Sequence, residues 1–363
     1  MTEKIKVGIL GGTGMVGQNY IRLLDNHPWF EVSYIAASPR SAGQKYSEAV
    51  AGRWQMSTNI PKGVRNIVVE DASNVDAAKG KVSFMFSAMD LPDKKDTRAL
   101  EFKYAETGIP VVSNSSANRW TEDVPMLIPE INHEHINIIE AQKKNRNLEK
   151  GFVAVKPNCS LQSYVTAIFA LEQAGFKVDK IILTTLQAVS GAGYPGVPSL
   201  DMVDNLVPVI GGEEEKTEKE PYKIFGSIQD GKIVNDESIK ISSTTTRVPV
   251  VDGHTACVSV KFKDKIPTKE EILKIWKDFK SVPQELKLPF APEQPIIYLE
   301  EENRPQPRKD RDNGKGMALT AGRLRECKVF DWRFVALSHN TVRGAAGGGI
   351  LNAELLKAKG YLK

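Results

Sequence analysis

The sequence predicts an α/β protein in two parts: a doubly wound parallel sheet, then an α+β part built on a mostly antiparallel sheet. Three observations carry this. Short β-branched runs alternate with helix-patterned stretches through the first half. A glycine-rich turn separates the first of those runs from the first helix. Past residue 151 the strand-like runs lengthen and fewer helices intervene. A chain of 363 residues also favours two domains over one.

In the first part, KVGIL (6–10), EVSYIA (31–36), NIVVE (66–70), VSFMFSA (82–88) and PVVSN (110–114) read as strands. Between them, MVGQNYIRLLDNH and TRALEFKYAETG space their apolar residues as helices do, the second stopping at Gly108. Near-continuous apolar strands with helices between them imply a parallel sheet covered on both faces. In the second part a helix is expected from about Ser160 to Ala174, ending at Gly175. KIILTTLQAV (180–189), TTRVPVV (245–251) and HTACVSVKFK (254–263) read as longer strands. TKEEILKIWKDFKS (268–281) is a helix opened by a capping box, Thr268 with Glu271. RPQPRKDRDNGKG (304–316) is expected to be an exposed loop, rich in proline and charge. AAGGGILNAELLKAKGYLK reads as a helix behind a glycine-rich entry that returns to pack on the first part. The expected domains are therefore 1–155 plus about 340–363, and 156–339.

Composition removes several function classes. A formal net charge of +4, from 49 Lys+Arg against 45 Asp+Glu, is too weak to argue for a nucleic-acid partner. Cys159, Cys257 and Cys327 are odd in number and lack metal-ligand spacing. Neither a disulfide framework nor a metal site is expected, and a reducing, cytoplasmic compartment fits. MTEKIKVGILGG enters a strand at once with no cleavable leader, and no long apolar run suggests a membrane span.

KVGILGGTGMVGQNYIRLL sets Gly11, Gly14 and Gly17 directly after a strand and at the start of a helix. Glycines there permit a tight turn and let backbone N–H groups approach a pyrophosphate at the positive end of the helix. In this strand–turn–helix setting the pattern points to a Rossmann-like nucleotide site. An acid at the end of the second strand would bond the ribose 2′-hydroxyl of NAD. Here the strand runs into AASPRSAG, with Ser38, Arg40 and Ser41 instead, so NADP is favoured: a guanidinium and hydroxyls bind a 2′-phosphate that a carboxylate repels.

VKPNCSLQSY poses the catalytic question. Pro157 and the N-cap residue Asn158 put Cys159 at the first turn of a helix, where the dipole favours thiolate. A thiolate attacks acyl carbonyls to give thioesters, which a nicotinamide hydride can reduce. A free cysteine is as commonly a small buried apolar residue, and on the residue alone both readings stand. Cys159 as a thiolate would alkylate fastest of the three. His254, at the start of a strand after Gly253, is the best acid/base among five histidines. SNSSANR (113–119) brings Asn118 and Arg119 to the carboxyl end of a strand, and GGEEEK (211–216) groups acids with Lys216.

Taken in order, GGTGMVGQ, AASPRSAGQKY, SNSSANRWTEDVPMLIPEIN, KPNCS, LQAVSGAGYPGVPSLDMVDNLVP, GGEEEK, TRVPVVDGHT, RPQPRKDR and HNTVRGAAGGGILNAE resemble the aspartate-semialdehyde dehydrogenases, particularly their archaeal and fungal branch, nearly end to end. The resemblance implies NADPH-dependent reductive dephosphorylation of 4-phospho-L-aspartate to L-aspartate 4-semialdehyde and phosphate, in lysine, threonine, methionine and isoleucine biosynthesis. It implies Cys159 as nucleophile, His254 as acid/base and Gln187 as an orienting group. By motif position, Arg247 would hold the substrate carboxylate, Glu213 its ammonium, and Arg119 and Lys216 the phosphate, with Asn118 nearby. Gly11, Thr13, Gly14, Met15 and Val16 would take the cofactor phosphates, Ser38, Arg40 and Ser41 the 2′-phosphate. Ser190, Gly191 and Asn340 would lie near the nicotinamide. The family assembles as homodimers or homotetramers through the second domain. One departure stands out: family members commonly read Asn-Cys-Ser-Thr, and here Leu161 and Gln162 follow Ser160. Malonyl-CoA reductases of the same general type also carry that glutamine, so reduction of malonyl- or succinyl-CoA is the alternative.

Overall fold

A computed structural model describes residues 3–363. The first body begins β1 (Ile5–Leu10), α1 (Met15–Leu23), β2 (Phe30–Ala37), α2 (Tyr46–Ala49), β3 (Glu70–Asp71) and β4 (Phe84–Ser87). It continues α3 (Lys94–Glu106), β5 (Val111–Ser113), α4 (Pro129–Asn132), α5 (Ile138–Arg146) and β6 (Val153–Val155). All pairings are parallel, in the order β3-β2-β1-β4-β5-β6. The order reverses between β1 and β4, and the crevice outside the carboxyl ends of these two strands is where such sheets bind ligands. NIVVE contributes less than its composition suggests: only Glu70–Asp71 pairs, with Ala36 and Ala37, because β3 is a sheet edge with a single neighbour.

The second body begins with α6 (Val165–Gln173), β7 (Val178–Ala188), α7 (Glu213–Ile224), a hairpin of β8 (Ser227–Gln229) and β9 (Lys232–Val234), and β10 (Lys240–Val248). Then follow β11 (His254–Phe262), α8 (Lys269–Asp278), α9 (Val282–Glu285), β12 (Ile296–Leu299), α10 (Pro307–Asp310), β13 (Leu319–Glu326) and β14 (Trp332–Ser338). The sheet order is β10-β7-β11-β14-β13-β12, with β10–β7 and β12–β13 parallel and the three central pairings antiparallel. Thr268 and Glu271 form the expected capping box of α8. One sheet face packs on α6 and α8 through Val258, Val260, Phe334, Trp276 and Ile168. The opposite face leaves Ile182 and Cys257 exposed. The 304–316 segment is less exposed than its composition implies. Asp310 is buried and holds the Arg304 guanidinium and the Gln306 N–H.

The glycine-rich return forms a five-residue π-turn at Val342–Ala346 and then α11 (Gly347–Ala358). Ile350, Leu351, Leu355 and Leu356 of α11 are buried with Val7, Ile9 and Phe86 of the first sheet. A Cβ at Gly349 would lie 1.9 Å from the Tyr20 hydroxyl, so α11 reaches α1 only because this residue is glycine.

Candidate active site

The strand registers bring the chemistry together. His254 opens β11 opposite Ser338 of β14, and Thr255 pairs with Leu186, which sets His254 beside the end of β7. Cys159 lies in the turn between β6 and α6, where Asn158 Oδ1 accepts the Ser160 N–H at 3.2 Å. Its Sγ is 3.3 Å from His254 Nε2. His254 Nδ1 accepts the Ala188 N–H at 3.0 Å. Gly344 of the π-turn lies against the nucleophile: a Cβ there would come within 2.8 Å of Cys159 Cβ.

Around this pair sit the charged groups. Glu213 opens α7, and its carboxylate accepts from Asn158 Nδ2 (2.8 Å), Gln187 Nε2 (3.3 Å) and Lys216 Nζ (2.9 Å). Burial raises the Glu213 pKa, but the Lys216 ammonium and these hydrogen bonds outweigh it and hold the carboxyl below its usual range. Arg247 Nη1 donates to Ala188 O at 2.8 Å. A Cβ at Gly191 would meet Arg247 Nη1 at 2.8 Å and His254 Cε1 at 3.3 Å, so the 189–192 turn lies directly over both.

The Cys159 thiol departs from the expected electrostatics. Its helix begins as a single 3-10 turn, Ser160–Ser163, ahead of α6, and Cys159 is only its N-cap. Burial pushes the thiol pKa up, with Glu213 adding to it; Lys156, Arg119 and Arg247 oppose without reversing the shift. Cys159 therefore rests as a thiol, contrary to the lowered pKa expected from the helix dipole.

Other expected residues also make contacts within the protein. Arg119 is buried and largely committed, with Nε to Lys156 O, Nη1 to Glu220 and Nη2 to Asn114 O. Asn118, expected near the phosphate, is fully buried with its amide on Glu101. Glu101 also accepts from Ser87 and Ser113, so this cluster ties the loop after β5 to the ends of β4 and β5. Asn340 bridges Ser190 Oγ (2.8 Å) and the Gly253 N–H (2.8 Å), joining the 189–192 turn to the residue before His254. Leu161 is core, and Gln162 Oε1 accepts from Arg343 Nε at 2.8 Å, so the departure after Ser160 has a packing explanation away from the thiol.

Two residues were missed. Glu220 holds both Arg119 and the Asn158 N–H (2.6 Å). It lies seven residues after Glu213 on α7, so helical spacing could have found it. Lys156 is buried beside the nucleophile loop, with Nζ donating to Pro157 O at 2.6 Å, and its pKa is pulled down to about 7 by burial and by Arg119. No pattern marks it, since lysine ordinarily signals a solvated face.

The residues at the crevice fit a dinucleotide. Gly11 has a φ of +75°, and a Cβ would meet Ala88 O at 2.7 Å. At Gly17 it would meet Gly11 O at 2.3 Å, so that glycine packs α1 onto the turn. Gly14 is different: a Cβ would find only Gly11 O at 3.5 Å, and its exposed face leaves backbone approach open to a phosphate. Thr13 O accepts from Gln18 Nε2, and Met15 and Val16 begin α1. Ser38 and Arg40 are exposed at the end of β2, whereas Ser41 is buried, its N–H closing a turn on Ser38 O. Among the described residues no cluster of three or more His, Cys, Asp or Glu could hold a metal ion, and no helix is long and apolar enough to cross a membrane.

Residues 6–139 match the family described as semialdehyde dehydrogenase, NAD binding domain, and 168–343 the semialdehyde dehydrogenase dimerisation domain. The aspartate-semialdehyde dehydrogenase of Methanothermobacter thermautotrophicus is 45% identical over 354 residues, covering 97% of this chain and 99% of that protein. That of Cryptococcus neoformans is 41% identical over 365 residues, covering 99% of each. The solved aspartate-semialdehyde dehydrogenase of Candida albicans with NADP superposes with a TM-score of 0.89 at 37% identity, covering 99% of this chain and 100% of that one.

Proposed function

This chain belongs to the aspartate-semialdehyde dehydrogenases, and from that premise we propose how its own residues divide the reaction. It is an NADP-dependent oxidoreductase that converts 4-phospho-L-aspartate to L-aspartate 4-semialdehyde and phosphate. The observation that carries the assignment of roles is the 3.3 Å approach of Cys159 Sγ to His254 Nε2 between Glu213 and Arg247. Cys159 attacks the acyl carbonyl, forming the C–S bond as the C–O bond to phosphate breaks. Bound NADPH supplies the hydride that reduces the thioester.

The surroundings support the other roles. Glu213, held ionised, suits the substrate ammonium, and Gln187 beside it orients the acyl group. Arg247 has Nη2 and Nε left to pair with the α-carboxylate. Lys216 is partly exposed at the same helix start and suits phosphate, with Arg119 supporting from the scaffold. Gly11, Thr13, Gly14, Met15 and Val16 would hold the cofactor pyrophosphate. Ser38 and Arg40 would hold its 2′-phosphate, with Ser41 shaping the turn, and Ser190, Gly191 and Asn340 would flank the nicotinamide. The nucleotide-binding part is 1–155 plus about 340–363, and 156–339 carries catalysis and self-association. A homodimer or homotetramer through the bare face of the second sheet is supported by the dimerisation-domain match. A cytoplasmic setting fits three free cysteines.

The deciding assay follows NADPH oxidation with 4-phospho-L-aspartate and, separately, with malonyl- and succinyl-CoA. Turnover of the acyl phosphate alone, lost in Cys159→Ser, is expected. Turnover of only the CoA thioesters would overturn the assignment.

A further inference from the structure

We propose that Gln162 is a positioning residue for the nucleophile: through Arg343 it locks the turn carrying Cys159 to the π-turn whose Gly344 lies against that side chain. This rests on the role proposed above for Cys159 and leaves His254 as its acid/base. Cys159 is the N-cap of the 3-10 turn Ser160–Ser163. Side chains three residues apart eclipse in such a turn, so Cys159 and Gln162 lie along one edge of it. The π-turn meets that edge with two consecutive residues. Arg343 Nε donates to Gln162 Oε1 at 2.8 Å, and a Cβ on Gly344 would stand 2.8 Å from Cys159 Cβ.

The turn does not place itself. It is closed by the Gln162 N–H to Cys159 O at 3.3 Å and the Tyr164 N–H to Leu161 O at 3.1 Å, and a helix this short has little stability of its own. Its placement comes from neighbours on two sides. α7 holds one side: Glu220 accepts the Asn158 N–H, Glu213 accepts from Asn158 Nδ2, and Thr217 meets Ser160 Oγ at 3.2 Å. On the other side, among the described residues, the Gln162–Arg343 bond is the one hydrogen bond between this turn and the π-turn.

Arg343 is itself immobilised. It is buried, with Nη1 and Nη2 spent on Glu130 at 2.6 and 2.7 Å, and Glu130 belongs to α4 of the first body. Only Nε is left to reach the nucleophile turn, and Gln162, also buried, supplies its acceptor. An aliphatic side chain at 162 would leave that N–H buried without a partner, a penalty relieved by the turn and the π-turn shifting apart. Gly344 follows Arg343 directly, so such a shift reaches Cys159 at once. A displaced Sγ leaves its 3.3 Å approach to His254 Nε2, and with it the geometry in which proton removal and attack on the acyl carbon occur together.

The test compares Gln162→Met, which keeps the volume and loses the acceptor, with Gln162→Glu, which keeps an acceptor for Arg343 Nε. With 4-phospho-L-aspartate, Gln162→Met should lower kcat about 10–100-fold while KM and NADPH affinity stay within about twofold. Gln162→Glu should keep kcat within about threefold. A residue needed only for stability would lower Tm and leave this split unmoved. A substrate-free arm follows alkylation of Cys159 by iodoacetamide, with Cys327 in the same sample as the internal standard. Gln162→Met should slow Cys159 relative to Cys327 by about threefold or more, because Sγ parts from His254, and Gln162→Glu should keep the wild-type ratio. Full kcat or an unchanged ratio in folded Gln162→Met overturns the proposal, as does Gln162→Glu as slow as Gln162→Met. Should Gln162→Met not fold, Gln162→Asn, whose oxygen is drawn back by a methylene, replaces it under the same expectations; failure of both to fold makes the residue structural and overturns the proposal. Wild-type enzyme inert toward aspartyl phosphate would instead sink the functional reading, and the alkylation ratio would still decide this one.

Discussion

A buried cysteine surrounded by three cations and one carboxylate is a balance of opposing terms, and at Cys159 burial and Glu213 prevail. In the free enzyme this balance favours the thiol over the thiolate. Cys327 is the opposite case: burial is the largest single effect and raises it, but the Phe330 and Val329 N–H groups, the Ser259 side chain and Arg333 together outweigh that and hold the thiol below its ordinary value. Because alkylation follows the thiolate fraction, Cys327 should label ahead of Cys159 at neutral pH in free enzyme. Peptide mass spectrometry after brief iodoacetamide treatment checks this, and Cys159 labelling first would contradict it. The nucleophile was legible from Pro157-Asn158-Cys159, but its proton affinity was not. That property depends on Glu213 and Arg247, 54 and 88 residues downstream by numbering, and only the fold sets their distance from sulfur.

Secondary elements were read well where a period of 2 or 3.6 ran uninterrupted, as in β7, β11 and α8. They were read poorly where tertiary neighbours decide, as at the edge strand β3 and in the π-turn at Val342–Ala346. That turn illustrates the limit. The run of small residues announces close packing, but nothing in it says that Gly344, rather than Gly347 or Gly348, lies against Cys159 Cβ. Gly344→Ala should push the nucleophile loop aside and lower kcat by about 100-fold, the cost of misplacing a reacting atom by about 1 Å. NADPH affinity, measured by fluorescence titration, should change little, because the glycine turn before α1 is untouched. A variant with full kcat would show that the loop yields without cost.

Across the molecule, buried ionisable pairs join segments far apart in the chain. Arg343 makes a bidentate contact with Glu130 at 2.6 and 2.7 Å, fixing the π-turn to α4. His27 Nε2 meets Glu354 Oε1 at 2.8 Å, with His27 Nδ1 accepting the Trp29 and Phe30 N–H groups. Burial pulls His27 down to about 4 and pushes Glu354 up to about 8. The raised Glu354 contributes stability that is full below its ordinary pKa of 4.5 and lost as pH rises through about 8. The depressed His27 does the reverse, contributing above 6.5 and failing as pH falls through about 4. Glu354→Gln should therefore remove the alkaline part: the wild-type Tm should fall relative to the variant by several degrees between pH 4.5 and 8. Parallel melting curves across that window would refute the assignment.

The seating of α11 against β5, α1 and α4 carries a consequence for how the chain is made. Domains ordinarily fold in the order in which they are synthesised. Here Val7, Ile9 and Phe86 share one apolar core with Ile350, Leu351 and Leu355, which leave the ribosome only after every strand of the second sheet. The part of the protein made first must wait with that side open, although its other core is shared with the second sheet. The nascent chain is most in need of a chaperone in that interval, and the nucleotide cradle is the last piece of the enzyme to mature.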